Sequence, residues 1–212
     1  PFVNGTVTEI SANIYDLHLP ATACLDRIDW YLTVETEDLQ TIYNPSGAPT
    51  TTYSAVAALN SVAVAADDFE TDQGWLVQNS AGLTDGAWDR GAPVGGGDRG
   101  DPPTDYDGSG QCYLTDNVDG NTDVDDGTTS LISPTFDLSA GDGRIRYARW
   151  YSNIAGSAPN ADSMEIWISS DAGGNWVKVE TVGPVAQASG GWYETDFWAA
   201  DYVTPTASMQ VR

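Results

Sequence analysis

Arg144-Ile145-Arg146-Tyr147-Ala148-Arg149-Trp150-Tyr151-Ser152 is the stretch that decides the fold class. Read with a period of two, Ile145, Tyr147, Arg149 and Tyr151 fall on one face, and Arg146, Ala148 and Trp150 on the other. Bulk on both faces is the pattern of a central sandwich strand whose outer face is partly covered. Short alternating stretches bounded by Gly, Pro, Asn and Asp recur on either side of it. They lie at 5–10, 14–19, 27–35, 75–79, 111–116, 129–133, 163–169, 176–182, 192–198 and 208–212. Helical periodicity is nearly absent, so the chain is expected to be all-β, of sandwich or barrel type.

The best helical candidate, YSAVAALNSVAVAA at 53–66, has no caps and reads equally as an extended linker or a strand. It follows the turn-rich Asn44-Pro45-Ser46-Gly47-Ala48-Pro49 and precedes Asp67-Asp68-Phe69-Glu70, where acidic residues become frequent. The expected organisation is a β region at 1–53, a linker at 54–66 and a second β domain at 67–212. Residues 82–127 are rich in Gly and Asp, and loops of that length are usually functional or held by a ligand.

The 212 residues carry a net charge of −23, with Lys178 the sole lysine. Such a surface repels phosphate backbones and anionic headgroups, which disfavours nucleic acid and membrane surfaces as partners. Cations, neutral glycans and basic proteins remain. The charge suits a high-salt exterior, where screening weakens self-repulsion, and equally a merely solubilising role. No apolar run approaches the roughly 20 residues that span a bilayer.

The catalytic inventory is thin. His18 is the only histidine, which removes HExxH sites and histidine-based triads from this chain. Gly95-Gly96-Gly97 lacks the lysine and helix start of a phosphate loop, and no carboxylate pair stands out as a glycosidase acid and base. The chain is therefore expected not to be an enzyme. The segment 116–127 (DNVDGNTDVDDG) offers many hard oxygen donors of the kind calcium takes, with Asp116, Asp119, Asp123 and Asp125 as candidate ligands. It does not fit an EF-hand, because Val124 stands where Gly is needed. A solvated loop of Asx turns is the alternative. Asp105-Tyr106-Asp107-Gly108-Ser109-Gly110 is a second Asp/Gly turn.

Cys24 and Cys112 would most simply form one disulfide in an extracellular protein, joining the two regions; two buried thiols are the alternative. Ser169-Ser170-Asp171-Ala172-Gly173-Gly174-Asn175-Trp176 matches the S-x-D-x-G-x-x-W Asp-box of sialidases and other β proteins, a hairpin device with no implication for sialic acid. Trp88, in Gly86-Ala87-Trp88-Asp89-Arg90, reads as a loop aromatic able to stack on a sugar ring, with core packing as the alternative. Asn4-Gly5-Thr6 is a glycosylation sequon.

Taken in order, DDFExDxGW from Asp67, GAWDRGxP from Gly86, DYDGSGxCYxTDN from Asp105, DVDDGTTSLxSP from Asp123, ARWYSN from Ala148 and the Asp-box resemble a MAM-like jelly-roll domain. Domains of this kind are appended to secreted bacterial zinc carboxypeptidases and immune-inhibitor-type metalloproteases. Residues 1–53 resemble the end of the immunoglobulin-like domain that often precedes them, on Leu19-Pro20-Ala21, Cys24, Asp29-Trp30-Tyr31 and Asn44-Pro45.

The resemblance implies a partial immunoglobulin-like sandwich followed by a jelly-roll sandwich, an extracellular accessory role, and calcium flanked by acidic residues of the first and last strands. Asp68 and Glu70 fill the first-strand role. Met209 and Val211 alternate as a strand still under way, so the jelly roll is expected to lack its last strand. The expected function is a non-catalytic binding or accessory module of a larger secreted protein, with a protein or glycan ligand. The alternative is a structural subunit of an extracellular assembly, polymerised by strand donation.

Overall fold

The structure, a computed structural model, describes residues 2–12, 14–94, 100–120 and 123–212. Gly95, Gly96, Gly97 and Asn121 lie outside the described residues. The chain divides into two compact units, Pro1–Val62 and Ala63–Arg212. The boundary falls inside the segment expected to link two regions.

The first unit contains β1 (Thr6–Ser11), β2 (Ile14–His18), β3 (Arg27–Trp30), β4 (Leu32–Glu35), β5 (Thr41–Asn44) and β6 (Tyr53–Val56). They pair as three antiparallel ribbons, β1–β2, β3–β6 and β4–β5. The stretch 27–35, expected as one strand, breaks at Tyr31 into two strands with different partners. Residues 54–56, expected as linker, belong to β6, where Tyr53 opposes Trp30 with ring centroids 4.7 Å apart. None of the described residues of this unit is buried. Val34 and Ile42, directly opposed across β4–β5, are 61% and 57% exposed.

The second unit contains β7 (Leu76–Asn79), β8 (Trp88–Gly91), β9 (Cys112–Thr115), β10 (Thr129–Ile132), β11 (Arg144–Ser152), β12 (Met164–Ser169), β13 (Val177–Val182), β14 (Ser189–Trp198) and β15 (Gln210–Val211), with a 3-10 turn at Ala199–Asp201. All pairing is antiparallel: β7–β10, β8–β9, β11–β14 and β13–β12–β15. Residues 209–212, expected as a strand still running, are bonded on both sides. Arg212 and Trp167 exchange amide bonds of 2.8 and 2.9 Å. On the other flank Met209 and Phe136 exchange bonds of 2.9 and 3.0 Å, and Ser133 donates to the Val211 carbonyl at 3.0 Å.

The core of this unit lies between two layers. Ile168 and Met209, both 0% exposed, come from the β12–β15 side with Val179 and Val211; Phe197, Ile145 and Tyr147 come from β11–β14. Each fully buried side chain of this size stabilises the fold by about 1.5–3 kcal/mol. The protein is an all-β, antiparallel fold of sandwich type.

The period-two reading of β11 is realised directly. Ile145, Tyr147 and Arg149 face inward; Arg144, Arg146, Ala148 and Trp150 face outward, opposite Trp198, Asp196, Glu194 and Trp192. Arg149 therefore carries its charge into the interior, with a side chain 4% exposed. Glu180 of β13 answers it with a fork: Nε to Oε2 at 3.0 Å and Nη2 to Oε1 at 2.5 Å. The Tyr147 hydroxyl donates to the same carboxylate at 2.7 Å, and the Gln187 side-chain oxygen accepts a further Arg149 bond.

The Asp-box is the hairpin joining β12 and β13. Asp171 accepts from the Ser169 hydroxyl and from the amide and side chain of Asn175 at 2.6–2.8 Å. Gly173 occupies φ +82°, where a side chain would be strained and would press on Trp176. The Asn175 bonds, then Ser169, pull the Asp171 carboxyl down to about 2.

Glu180→Ala leaves the Arg149 charge buried without its carboxylate and is expected to cost about 3–5 kcal/mol in denaturant unfolding. Because the folded pKa of Asp171 is depressed, its contribution is complete above the unfolded carboxylate value near 4 and is lost as pH falls toward about 2. Over that window the melting temperature of wild type should fall more steeply than that of Asp171→Asn.

Candidate functional site

Residues 66–75 fold back on themselves before β7. Asp67 accepts from the Phe69 amide at 2.8 Å, the Gln73 side chain at 2.9 Å and the Trp75 indole at 2.8 Å. The Phe69 ring stands edge-on to both Trp75 and Tyr113, at 5.2 and 5.3 Å. Arg90 of β8 clamps the segment, donating to the Phe69 carbonyl at 3.0 Å and to the Gln111 side chain at 2.8 Å. Asp68 accepts the Glu70 amide at 3.2 Å, a local Asx turn.

These contacts deliver the Glu70 carboxylate to the turn at 105–111, where its Oε1 accepts from the Gln111 amide at 2.5 Å and the Ser109 hydroxyl at 3.0 Å. The same hydroxyl lies 3.1 Å from Asp105 Oδ2 and 2.6 Å from Asp107 Oδ1. A hydroxyl has one proton, so three carboxylates crowd one donor. Asp105 is buried, and the Gly110 amide gives it a further bond of 2.9 Å. The hydroxyl and amide of Ser109 hold the Asp107 carboxyl below the usual carboxylate range. Beside this turn lies a shallow depression lined by Ala66, Asp67, Asp68, Gln73 and Asp107.

A second acidic place stands at the far end of β9. Asp116, at φ +47°, donates its amide to the Ala87 carbonyl at 2.9 Å. Its carboxyl is raised, by burial first and then by Asp85, with which it shares a hydrogen bond, and by Asp89 and Asp123. Gly86 is required here: a Cβ would lie 2.5 Å from the Val124 Cα and 2.6 Å from the Asp123 carbonyl. Asp125 forms a bridge with Asp85, and Asp119 is exposed in the following turn.

The six expected calcium ligands thus sort into two groups. Glu70 is bonded to Gln111 and Asp116 follows Thr115, so roughly 16 Å of extended chain separates the two positions. One ion with oxygen distances of about 2.3–2.6 Å cannot take both, so these candidates belong to two separate places. The donor types of the Glu70 turn suit calcium. Among the described residues, however, no three or more His, Cys, Asp or Glu are spaced to hold an ion as they stand. Asp105, Asp107 and Asp85 join these groups without having been among the expected ligands; the sequence signal for the first two was the DYDGSG turn.

The expected disulfide is not formed. Cys24 and Cys112 are free thiols, Cys24 exposed and Cys112 buried in β9. Burial first, then the negative charges of Asp105, Asp107 and Glu70, push the Cys112 thiol up to about 11. It is thus shielded from reagents in solvent and is not ionised as a nucleophile. Trp88 is half-buried at the start of β8 rather than in a loop, its amide donating to the Thr129 hydroxyl. His18, at the end of β2, is exposed and 3.6 Å from Asp16. Among the described residues no helix is long and apolar enough to cross a membrane. Comparison with family models, curated proteins and solved structures finds no match.

A disulfide-exchange thiol reagent should titrate one cysteine per native chain, Cys24, and two in denaturant. Equal, rapid reaction of both in the native protein would contradict the burial of Cys112.

Proposed function

We propose that this chain is a non-catalytic binding or accessory module of a larger secreted protein, stabilised by calcium. The observation that carries the reading is where the largest displacements in titration fall, those of Asp107 and Asp116 in the acidic turns being smaller. Functional sites usually collect perturbed groups in a cleft. Here Asp171 is depressed by a hairpin's own donors, Tyr147 is raised by burial and its bond to Glu180, and Cys112 is raised by burial. All three serve the scaffold. The ordered motifs over 67–212 support a MAM-like jelly roll, and the residues quoted from 1–53 support an immunoglobulin-like neighbour. The calcium part of the reading looks to the hard oxygens of Glu70, Asp105 and Asp107, where three carboxylates meet one hydroxyl; they are not spaced to hold an ion as they stand and would have to close around it. A cation there would relieve their mutual repulsion.

A second reading, a structural subunit joined by strand donation, draws on the two-stranded ribbons of the first unit, whose outer edges are open to a further strand. Stable polymers of the 212-residue chain in size-exclusion chromatography would favour it.

The melting temperature should rise in millimolar calcium over excess chelator, with about 2.7 kcal/mol gained at 100 times Kd. Glu70→Gln should blunt the rise. An unchanged melting temperature would remove calcium from the reading, and sustained peptide or glycoside turnover by the pure chain would remove its non-catalytic part.

A further inference from the structure

We propose that the outward face of the β11–β14 ribbon is a binding platform for an uncharged polysaccharide strand, with Tyr106 as its stacking residue. The proposal rests on the accessory-module reading and names that module's ligand class.

Tyr106 is 48% exposed, yet its orientation is fixed at both ends. Its hydroxyl donates to Glu194 Oε2 at 2.6 Å, and its ring stands edge-on to Trp192 at 5.8 Å and 65°. Trp192 in turn meets Trp150 at 5.7 Å. The two indoles donate to the carbonyls of Thr104 and Gly100, at 3.1 and 2.7 Å, which fastens the segment carrying Tyr106 onto the ribbon. An exposed ring already held in one orientation loses little freedom on binding, the condition that favours aromatic stacking on a ligand.

The rest of the face selects against charge. Arg144 grips Asp196 through two bonds of 2.8 and 2.6 Å, and Arg146 lies 3.4 Å from Glu194. These charges cancel in pairs, on a chain whose net charge is −23. The pairs remain partly exposed, with Arg146 at 60% and Glu194 at 45%, so they present planar donors and acceptors to solvent without a net field. Small Ala148 lies between the ion pairs and the Trp150–Trp192 pair. Fixed aromatics beside a neutral strip of hydrogen-bonding groups complement a ligand with an apolar C–H face and a hydroxyl rim. That describes a neutral pyranose chain. A polyanion would meet the acidic surface around it, and a basic protein would find no unpaired carboxylate on this strip.

Affinity electrophoresis of the 212-residue chain tests the proposal, in gels containing laminarin, hydroxyethyl cellulose, arabinoxylan or galactomannan, with alginate as the anionic control. Retardation by at least one neutral polymer and none by alginate is expected. Tyr106→Ala should weaken retardation about tenfold, the loss of roughly 1.4 kcal/mol for one aromatic contact. Tyr106→Phe keeps the ring and should stay within about threefold. The circular dichroism spectra of both variants should match wild type, since Tyr106 is exposed. No retardation by any of the four neutral polymers, or equal retardation of Tyr106→Ala and wild type, would overturn the platform and leave the accessory reading standing. Release of reducing ends from a bound polymer would instead overturn the non-catalytic reading and leave the platform standing.

Discussion

A guanidinium taken out of water has to be answered inside the fold, and the answer given to Arg149 fixes much of the second unit. Its fork onto Glu180 ties β11 to β13, and Tyr147, two residues earlier on the same face, bonds the same carboxylate. A slip of one residue in the β11–β14 register would turn Arg149 outward and drive Trp150 into the interior. With the register held, Trp150 and Trp192 meet on the outer face and capture the carbonyls of Gly100 and Thr104. That capture sets where the chain enters the 105–111 turn, and so where Asp105 and Asp107 stand relative to Glu70.

The strands that could be read from sequence are those whose side chains declare themselves. β11 follows its alternation from Arg144 to Trp150, and β12 and β13 flank a hairpin whose Ser, Asp and Gly are recognisable one by one. The strands that escaped are made by their partners. Residues 88–91 (WDRG) are polar and end in glycine; they are extended because Cys112–Thr115 pairs with them and Arg90 reaches across to Phe69 and Gln111. Residues 53–56 sit in an alanine-rich run with no internal preference, and Trp30 and Ile28 decide for them. The acidic turn was visible as a motif, but the convergence of Glu70, Asp105 and Asp107 depends on contacts 39 and four residues away along the chain. The disulfide expectation failed for a related reason: two cysteines in a composition say nothing of whether their sulfurs meet.

Every positive side chain among the described residues is engaged. Among the described residues Arg27, Arg144, Arg146, Arg149 and Lys178 pair with carboxylates, and Arg90 is committed to a carbonyl and an amide. Arg212 lies over the rings of Trp167 and Trp176, at 5.1 and 4.7 Å. With 31 acidic residues against eight basic ones, most carboxylates have no cation of the chain to face. Their repulsion is carried by water and counterions, so added salt should tighten this protein more than it loosens its surface ion pairs.

The absence of any buried residue among the described part of the first unit has a consequence for how the molecule comes apart. Hairpins without a packed face open at little free-energy cost, whereas the layers around Ile168 and Met209 open only with the whole second unit. Amide protons of β1–β6 would then exchange with deuterium far sooner than those of β12 and β15. A protease offered the native chain would find its first cleavable bonds before residue 63. Fluorescence and far-ultraviolet dichroism, which weight the two units differently, would trace separate denaturation curves, and no single midpoint would describe the chain.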